Sequence, residues 1–355
     1  MIKLFKKYIF PFKIAATFIG TIIGAGFASG QEILQFFGYY GLSGIAGVIL
    51  TAILFTVYGY IILYIGYKCQ AKSHQEVLKY VGGDWLGNLM DIVITLFLLG
   101  TFTAMVAGGG AIIKEQFNYP FFLGNIIMLV VSMGTTILGL KGIMNAVSSM
   151  VPLLLISIFV LPVYTIYQES FSFLLNLNEV VIMDGPVSNW FLSGLIYVSY
   201  NLILSIAVMG PMGAEVQNKK HFKRAAVMGG IGLGLGAFAI LLPLLSNMPE
   251  IINYEIPLIY ITDDFAFWIQ IFYSLILLIE IYTTAVGNLF GVASRFRSSY
   301  GLSYQTNVII IGGIALIFSQ FGFSNLIHYF YPVVGYTGLI LMAGLLFSFC
   351  KTKLR

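Results

Sequence analysis

Charge is what this chain has least of. Asp, Glu, Lys and Arg make up 9% of its 355 residues, 59% are hydrophobic, and mean hydropathy is +0.94. A soluble globular domain carries roughly 25% charged residues, so this composition excludes an ordinary soluble fold and fits a chain dissolved in lipid. Cysteine is nearly missing as well. Cys69 and Cys350 both fall at ends of apolar runs expected in the cytoplasm, which argues against a disulfide framework. The chain has no His-Glu metal motif, no Ser/His pair within an apolar run and no phosphate loop, so it is not expected to be an enzyme. It shows no repeated filter or ring of charge of the kind a channel needs. The net charge of +4 comes from basic residues scattered between apolar runs, so nucleic acid is not an expected partner.

What is present is a series of apolar runs, each near the roughly 20 residues that cross a bilayer. Ten can be drawn: 12–37, 41–67, 85–113, 120–140, 142–167, 189–215, 221–247, 265–294, 303–321 and 324–350. Lys3, Lys6, Lys7 and Lys13 imitate the start of a signal peptide, but the apolar stretch runs on through Phe37 and reads as the first span. The positive-inside rule then fixes orientation. With a cytoplasmic N-terminus, every lysine and arginine except Lys114 falls in an inner loop, an inner helix end or a tail. The opposite loops collect Glu115, Glu169, Glu179, Asp184, Glu250, Glu255, Asp263 and Asp264. Both termini are thus expected in the cytoplasm of a multi-pass cell-membrane protein. Segment 68–84 holds a short amphipathic stretch at His74–Leu78, expected as a surface helix. Segment 248–264, with Pro249 and Pro257, is long enough to fold over an outer vestibule.

The first span carries an unusual string, Gly20-Thr21-Ile22-Ile23-Gly24-Ala25-Gly26-Phe27-Ala28-Ser29-Gly30-Gln31-Glu32. A glycine costs about 1 kcal/mol relative to alanine in a helix interior, so four of them with a following Gln-Glu pair predict a broken helix. Backbone freed at membrane depth must face protein or a water-filled cavity, where carbonyls hold cations and amides hold anions. The same glycines also fit close helix packing, although the carboxylate after them does not. The sixth span is interrupted at Tyr197-Val198-Ser199-Tyr200-Asn201 and again at Gly210-Pro211-Met212-Gly213, which predicts a second break. Interruptions in spans one and six are what two inverted five-helix repeats would give, about 12–167 and 189–350 within a single domain 1–355.

These residues resemble the leucine-transporter (LeuT) fold of the amino acid–polyamine–organocation superfamily, through Gly20 to Gly26. The longer string through Glu32 and Ile33 resembles the YkvI-like membrane proteins of Gram-positive bacteria. The resemblance implies an all-helical membrane fold with ten spans and a 5+5 inverted repeat. It also implies a cation held between spans one and eight, at positions matching Gly20, Ile23, Glu280, Thr283 and Thr284. Oxygen donors of this kind suit Na+. Glu280 stands where relatives place a small residue, and a carboxylate there serves a proton equally well.

Glu32 and Glu280 are expected well inside the membrane, where a charge costs roughly 2.5–3.5 kcal/mol and marks function by default. Asp91 lies near the inner end of span three. No basic residue within a span is available to pair with Glu32 or Glu280. His328, beside Tyr329, fits packing better than proton relay. The expected substrate residues are Gly24, Ala25, Gly26, Phe27, Ser29, Thr103, Ser199, Tyr200 and Asn201, with Gly20, Ile23, Glu32, Glu280, Thr283 and Thr284 serving a coupling Na+ or H+. The expected function is secondary transport of a small organic solute such as an amino acid. A ligand sensor on the same fold, like a spore-germinant receptor subunit, is the alternative. No cofactor beyond the coupling ion is expected, and the oligomeric state is not legible.

Overall fold

The computed structural model describes residues 2–71, 73–138, 182–216, 220–262, 266–300 and 303–353. Every regular element among them is helical. In chain order they are α1 (Ile2–Ile22), α2 (Ala25–Ala28), α3 (Gln31–Phe36), α4 (Ser43–Cys69), α5 (His74–Phe117) and α6 (Phe121–Ile137). There follow α7 (Trp190–Glu215), α8 (Lys220–Ser246), α9 (Pro257–Ile261), α10 (Phe267–Tyr300), α11 (Tyr304–Phe318) and α12 (Phe323–Lys353). Seven of the described helices are long and apolar enough to cross a membrane, and Pro11–Ile22 and α6 are shorter apolar helices. The expected fifth span, 142–167, and most of the loop after it lie outside the described residues, so the ten-span count and the inverted repeat rest on sequence.

The expected surface helix is the first part of α5. Gly82 and Gly83 have non-helical backbone angles, Gly83 at φ 70°, and they separate it from the long span that follows. Gly83 occupies a left-handed region that side chains with a Cβ rarely adopt.

The expected break in span one is present, while the break in span six is not. The first span stops at Ile22, restarts for one turn as α2 and starts again as α3, with Gly24 extended (φ −127°, ψ −175°) and Gly30 left-handed (φ 83°). In contrast, α7 is one continuous helix through Pro211. Its polar groups are satisfied without unwinding. Ser199, Asn201 and Ser205 bond carbonyls about one turn back, at Ile196, Tyr197 and Asn201, over 2.8, 2.9 and 2.8 Å. Gly210 and Gly213 serve close packing instead: a Cβ on Gly66 of α4 would strike the Gly210 carbonyl, and one on Gly213 would strike the Leu63 carbonyl.

The segment after α8 closes over one end of the bundle, as its length predicted. The Leu258 amide donates to the Ser29 carbonyl at 3.1 Å, and the Leu258 side chain sits against Gly30. The Glu115 carboxylate accepts from the Glu255 and Ile256 amides at 2.7 and 3.2 Å, and Glu255 accepts from the Ser324 amide at 2.7 Å. This strap ties α5, the broken first span and α12 together. At the opposite end Asp91 of α5 forms an ion pair with Arg295 of α10, and His74 Nε2 lies 4.0 Å from the same carboxylate.

Candidate substrate-binding site

The break in the first span falls at Gly24, whose backbone is extended and which disfavours a helix interior by about 1 kcal/mol relative to alanine. Ile23 closes α1 by donating to the Ile19 carbonyl at 2.8 Å, and the Ala28 amide is the first in α2 to reach a backbone carbonyl one turn back, that of Gly24, at 3.0 Å. Ser29 turns its hydroxyl onto the Gly26 carbonyl at 3.0 Å and accepts from the Gln31 amide at 3.3 Å, so it holds the second corner. Tyr273 of α10 donates to the Ala28 carbonyl at 2.9 Å and pins the turn from the side.

Beside this break lies a cavity of about 390 Å³. Its lining runs along Gly20–Gly26 and includes Glu32. From α5 come Phe97, Thr101 and Met105, from α7 Tyr200, Asn201, Leu204 and Val208, from α10 Thr284, Gly287 and Asn288, and from α12 Tyr331. Cβ atoms built on Gly20, Gly24 and Gly287 would meet nothing within 4 Å, so these glycines leave the cavity open rather than packing helices together. Gly26 differs, because a Cβ there would collide with the Glu32 carboxyl group. Glu32 therefore folds back over the break, where its Oε2 accepts from the Tyr200 hydroxyl at 2.7 Å. Tyr200 in turn packs against Phe36, Phe97, Tyr197 and Tyr331, with ring centres 5.3–5.8 Å apart. A second cavity of about 540 Å³ shares Leu204 with the first and reaches Asp91, His74 and Arg295 at the basic end.

Of the residues singled out in the sequence, Gly20, Ile23, Gly24, Ala25, Gly26, Glu32, Tyr200, Asn201 and Thr284 line the cavity. Phe27, Ser29, Thr103, Ser199, Thr283 and Glu280 do not. Phe27 is packed into the core. The Thr103 hydroxyl donates to its own helix at Leu99, 2.9 Å away. Ser199 faces away, donating to the Gly335 carbonyl of α12 at 2.6 Å, because that helix crosses α7 at Gly335 and Gly338. The Thr283 hydroxyl donates to the Glu280 carbonyl at 2.9 Å. Glu280 is 1% exposed and both its carboxylate oxygens lack a hydrogen-bond partner. It lies one turn from Thr284 on the helix that packs against α2. A buried carboxyl without a partner fits a bound cation or a proton.

Sequence reasoning missed Phe97, Thr101, Met105, Leu204, Val208, Gly287, Asn288 and Tyr331. Two of these sets were within reach: 97, 101 and 105 form one stripe on α5, and 204 and 208 extend the stripe of Tyr200, at the spacing of a helix face. Tyr331 was not, since a π-helical turn at Leu326–Phe330 resets its face.

The helical bundle with a cavity at its broken first span is similar in fold to LeuT-type transporters. Solved structures of similar fold include Mhp1, a nucleobase-cation-symport-1 family transporter, closed with bromovinylhydantoin bound (TM-score 0.59, 15% identity, 91% of this chain and 74% of that one). MhsT in complex with L-phenylalanine matches with TM-score 0.60 at 16% identity, over 88% of this chain and 78% of that one. A manganese transporter of Eremococcus coleocola matches with TM-score 0.62 at 13% identity, over 95% and 78%. The chain belongs to the YkvI-like family of membrane proteins. It is 31% identical over 339 residues to the uncharacterized membrane protein YkvI of Bacillus subtilis (strain 168), covering 96% of this chain and 95% of that one. It is 29% identical to YyaD of the same organism, over 92% and 94%. Residues 254–355 match the family model described as branched-chain amino acid transport protein.

Proposed function

We propose that this protein is a secondary transporter that carries a small amino acid, by alternating access, through the cavity at the break of its first span. The observation that carries the reading is the cavity itself. It combines freed backbone at membrane depth, three glycines facing open space and a buried carboxyl, Glu32, held by Tyr200. Its volume of about 390 Å³ is at the small end of ligand pockets, which fits an amino acid. Met105, Leu204 and Val208 give it an apolar wall suited to an aliphatic side chain. The partial match to a branched-chain amino acid transport model makes leucine, isoleucine and valine the first candidates.

The amides at Ala25 to Phe27 would receive the substrate carboxylate and Glu32 its ammonium group. Glu280, with the hydroxyls of Thr283 and Thr284 and the carbonyls of Gly20 and Ile23, would take the coupling Na+ or H+. Both termini are assigned to the cytoplasm by the distribution of lysine and arginine. In that orientation the strap lies on the outer side and the second cavity on the cytoplasmic side. The test is uptake of radiolabelled amino acids into proteoliposomes with an imposed Na+ or pH gradient. Gradient-dependent accumulation of a branched-chain amino acid is expected. Its absence across a full amino-acid panel, with folded protein, would overturn the proposal.

A further inference from the structure

A groove of about 630 Å³ lies apart from the central cavity, between α4, α8 and α12 at the basic end of the bundle. Its walls are apolar: Val57 and Ile61 on α4, Ala226 and Val227 on α8, Leu346 and Phe349 on α12. Val57 and Leu346 are 42% and 45% exposed, so the groove opens to the surroundings of the bundle rather than to its interior. Its rim is different in kind. Lys220 and Lys223 on the first turn of α8 and Lys353 on the last turn of α12 border it, and among the described residues no acidic side chain lines it. The Lys353 ammonium stands 5.6 Å from the Phe349 ring centre, which turns it towards the groove.

Depth separates the two parts. Lys220 and Val227 are seven residues apart on one helix, about 10 Å along its axis. The hydrocarbon of one leaflet is about 15 Å thick, half of the ~30 Å core, so lysines at headgroup level put the apolar walls beside the first part of an acyl chain. A basic rim over an apolar groove at the inner face matches a ligand with one anionic end and an apolar body. The geometry points to an anionic phospholipid bound here, its phosphate between Lys223 and Lys353 and an acyl chain along Val57, Val227 and Leu346. Neutral phospholipid matches the groove and not the rim. Free phosphate matches the rim and not the groove.

Native mass spectrometry of the full chain released from mixed phosphatidylglycerol and phosphatidylcholine micelles tests this, alongside thermal unfolding in each lipid. The expected result is preferential retention of phosphatidylglycerol and a higher Tm with it than with phosphatidylcholine, neither reproduced by inorganic phosphate. K223Q/K353Q should abolish the preference, and V57W, which fills the groove while keeping the lysines, should reduce retention of both lipids. Equal retention of the two lipids by the wild-type chain overturns the proposal and needs no variant to fold. So does a Tm rise with inorganic phosphate alone, an unchanged preference in folded K223Q/K353Q, or a dimer that buries this face.

Discussion

The hydroxyl of Tyr200 donates a 2.7 Å hydrogen bond to the carboxylate of Glu32, joining the continuous sixth span to the twice-broken first. Both residues are buried, and they come from positions 168 apart in sequence. A bond to a charged group is worth about 1.5–3 kcal/mol, and an unpaired partner loses more than the pair gains. Y200F is therefore expected to lower stability by about that amount and to weaken substrate binding. E32Q keeps an acceptor for Tyr200 but removes the charge, so it should fold normally and bind an amino acid roughly tenfold more weakly or worse. Calorimetric titration reads both effects. Wild-type affinity in E32Q would remove Glu32 from the binding site.

Gly24 and Gly26 are two residues apart and should behave differently. A methyl on Gly24 meets no atom within 4 Å of its Cβ, so G24A should fold with near wild-type thermal stability while losing about 1–3 kcal/mol of ligand affinity to the filled volume. A methyl on Gly26 displaces Glu32, so G26A should lose both. Parallel thermal unfolding and ligand titration separate the two patterns.

Glu280 has no hydrogen-bond partner in a site that is 1% exposed. In the transport reading E280Q should abolish gradient-driven accumulation while leaving substrate exchange across the proteoliposome membrane. Loss of exchange together with accumulation, in folded protein, would assign Glu280 to substrate binding instead.

The strap carries a pH dependence of defined sign. Glu255 is outside the spanning helices, and burial raises its carboxyl above the ordinary 4.5, against the opposing effect of its backbone amide donors. A raised pKa in the closed form means that closure gains from protonation. Closure is thus strongest at and below the ordinary carboxylate pKa and weakens as pH rises through the higher value of the closed form. A cysteine in place of Ile259, which is 2% exposed, in a chain with Cys69 and Cys350 replaced by serine, should be labelled more slowly at pH 5 than at pH 7.5 after correction for intrinsic thiol reactivity. E255Q should reduce the difference, and the remainder is assigned to Glu115, which holds the Glu255 and Ile256 amides.

The α4–α7 seam depends on the absence of side chains. G66A places a methyl against the Gly210 backbone carbonyl, which cannot rotate away, and should destabilise by about 1–3 kcal/mol. G313A, on an open helix face, should be neutral or slightly stabilising. Urea or thermal unfolding of both in one detergent makes the comparison.

The sequence by itself determined the elements. Apolar run length set the spans, because backbone in lipid must bond to itself, and most of the described helices fall within a few residues of the expected ranges, while α1 and α5 begin well before theirs. Glycine content announced the break at Gly24, since a conformational preference acts locally. The tertiary structure decided what polar residues do. Ser199, Asn201 and Pro211 read as a second break, but the Ser199 hydroxyl and the Asn201 side-chain amide found carbonyls on α7 and α12, and the helix ran on whole through Pro211. Ser29 and Thr103 turned onto backbone for the same reason. Tyr331 entered the cavity through a π-helical turn, which is not encoded by spacing along one segment. Propensity and hydropathy are properties of a neighbourhood in sequence, whereas the partner of a buried hydroxyl or carboxyl is set by which helices meet.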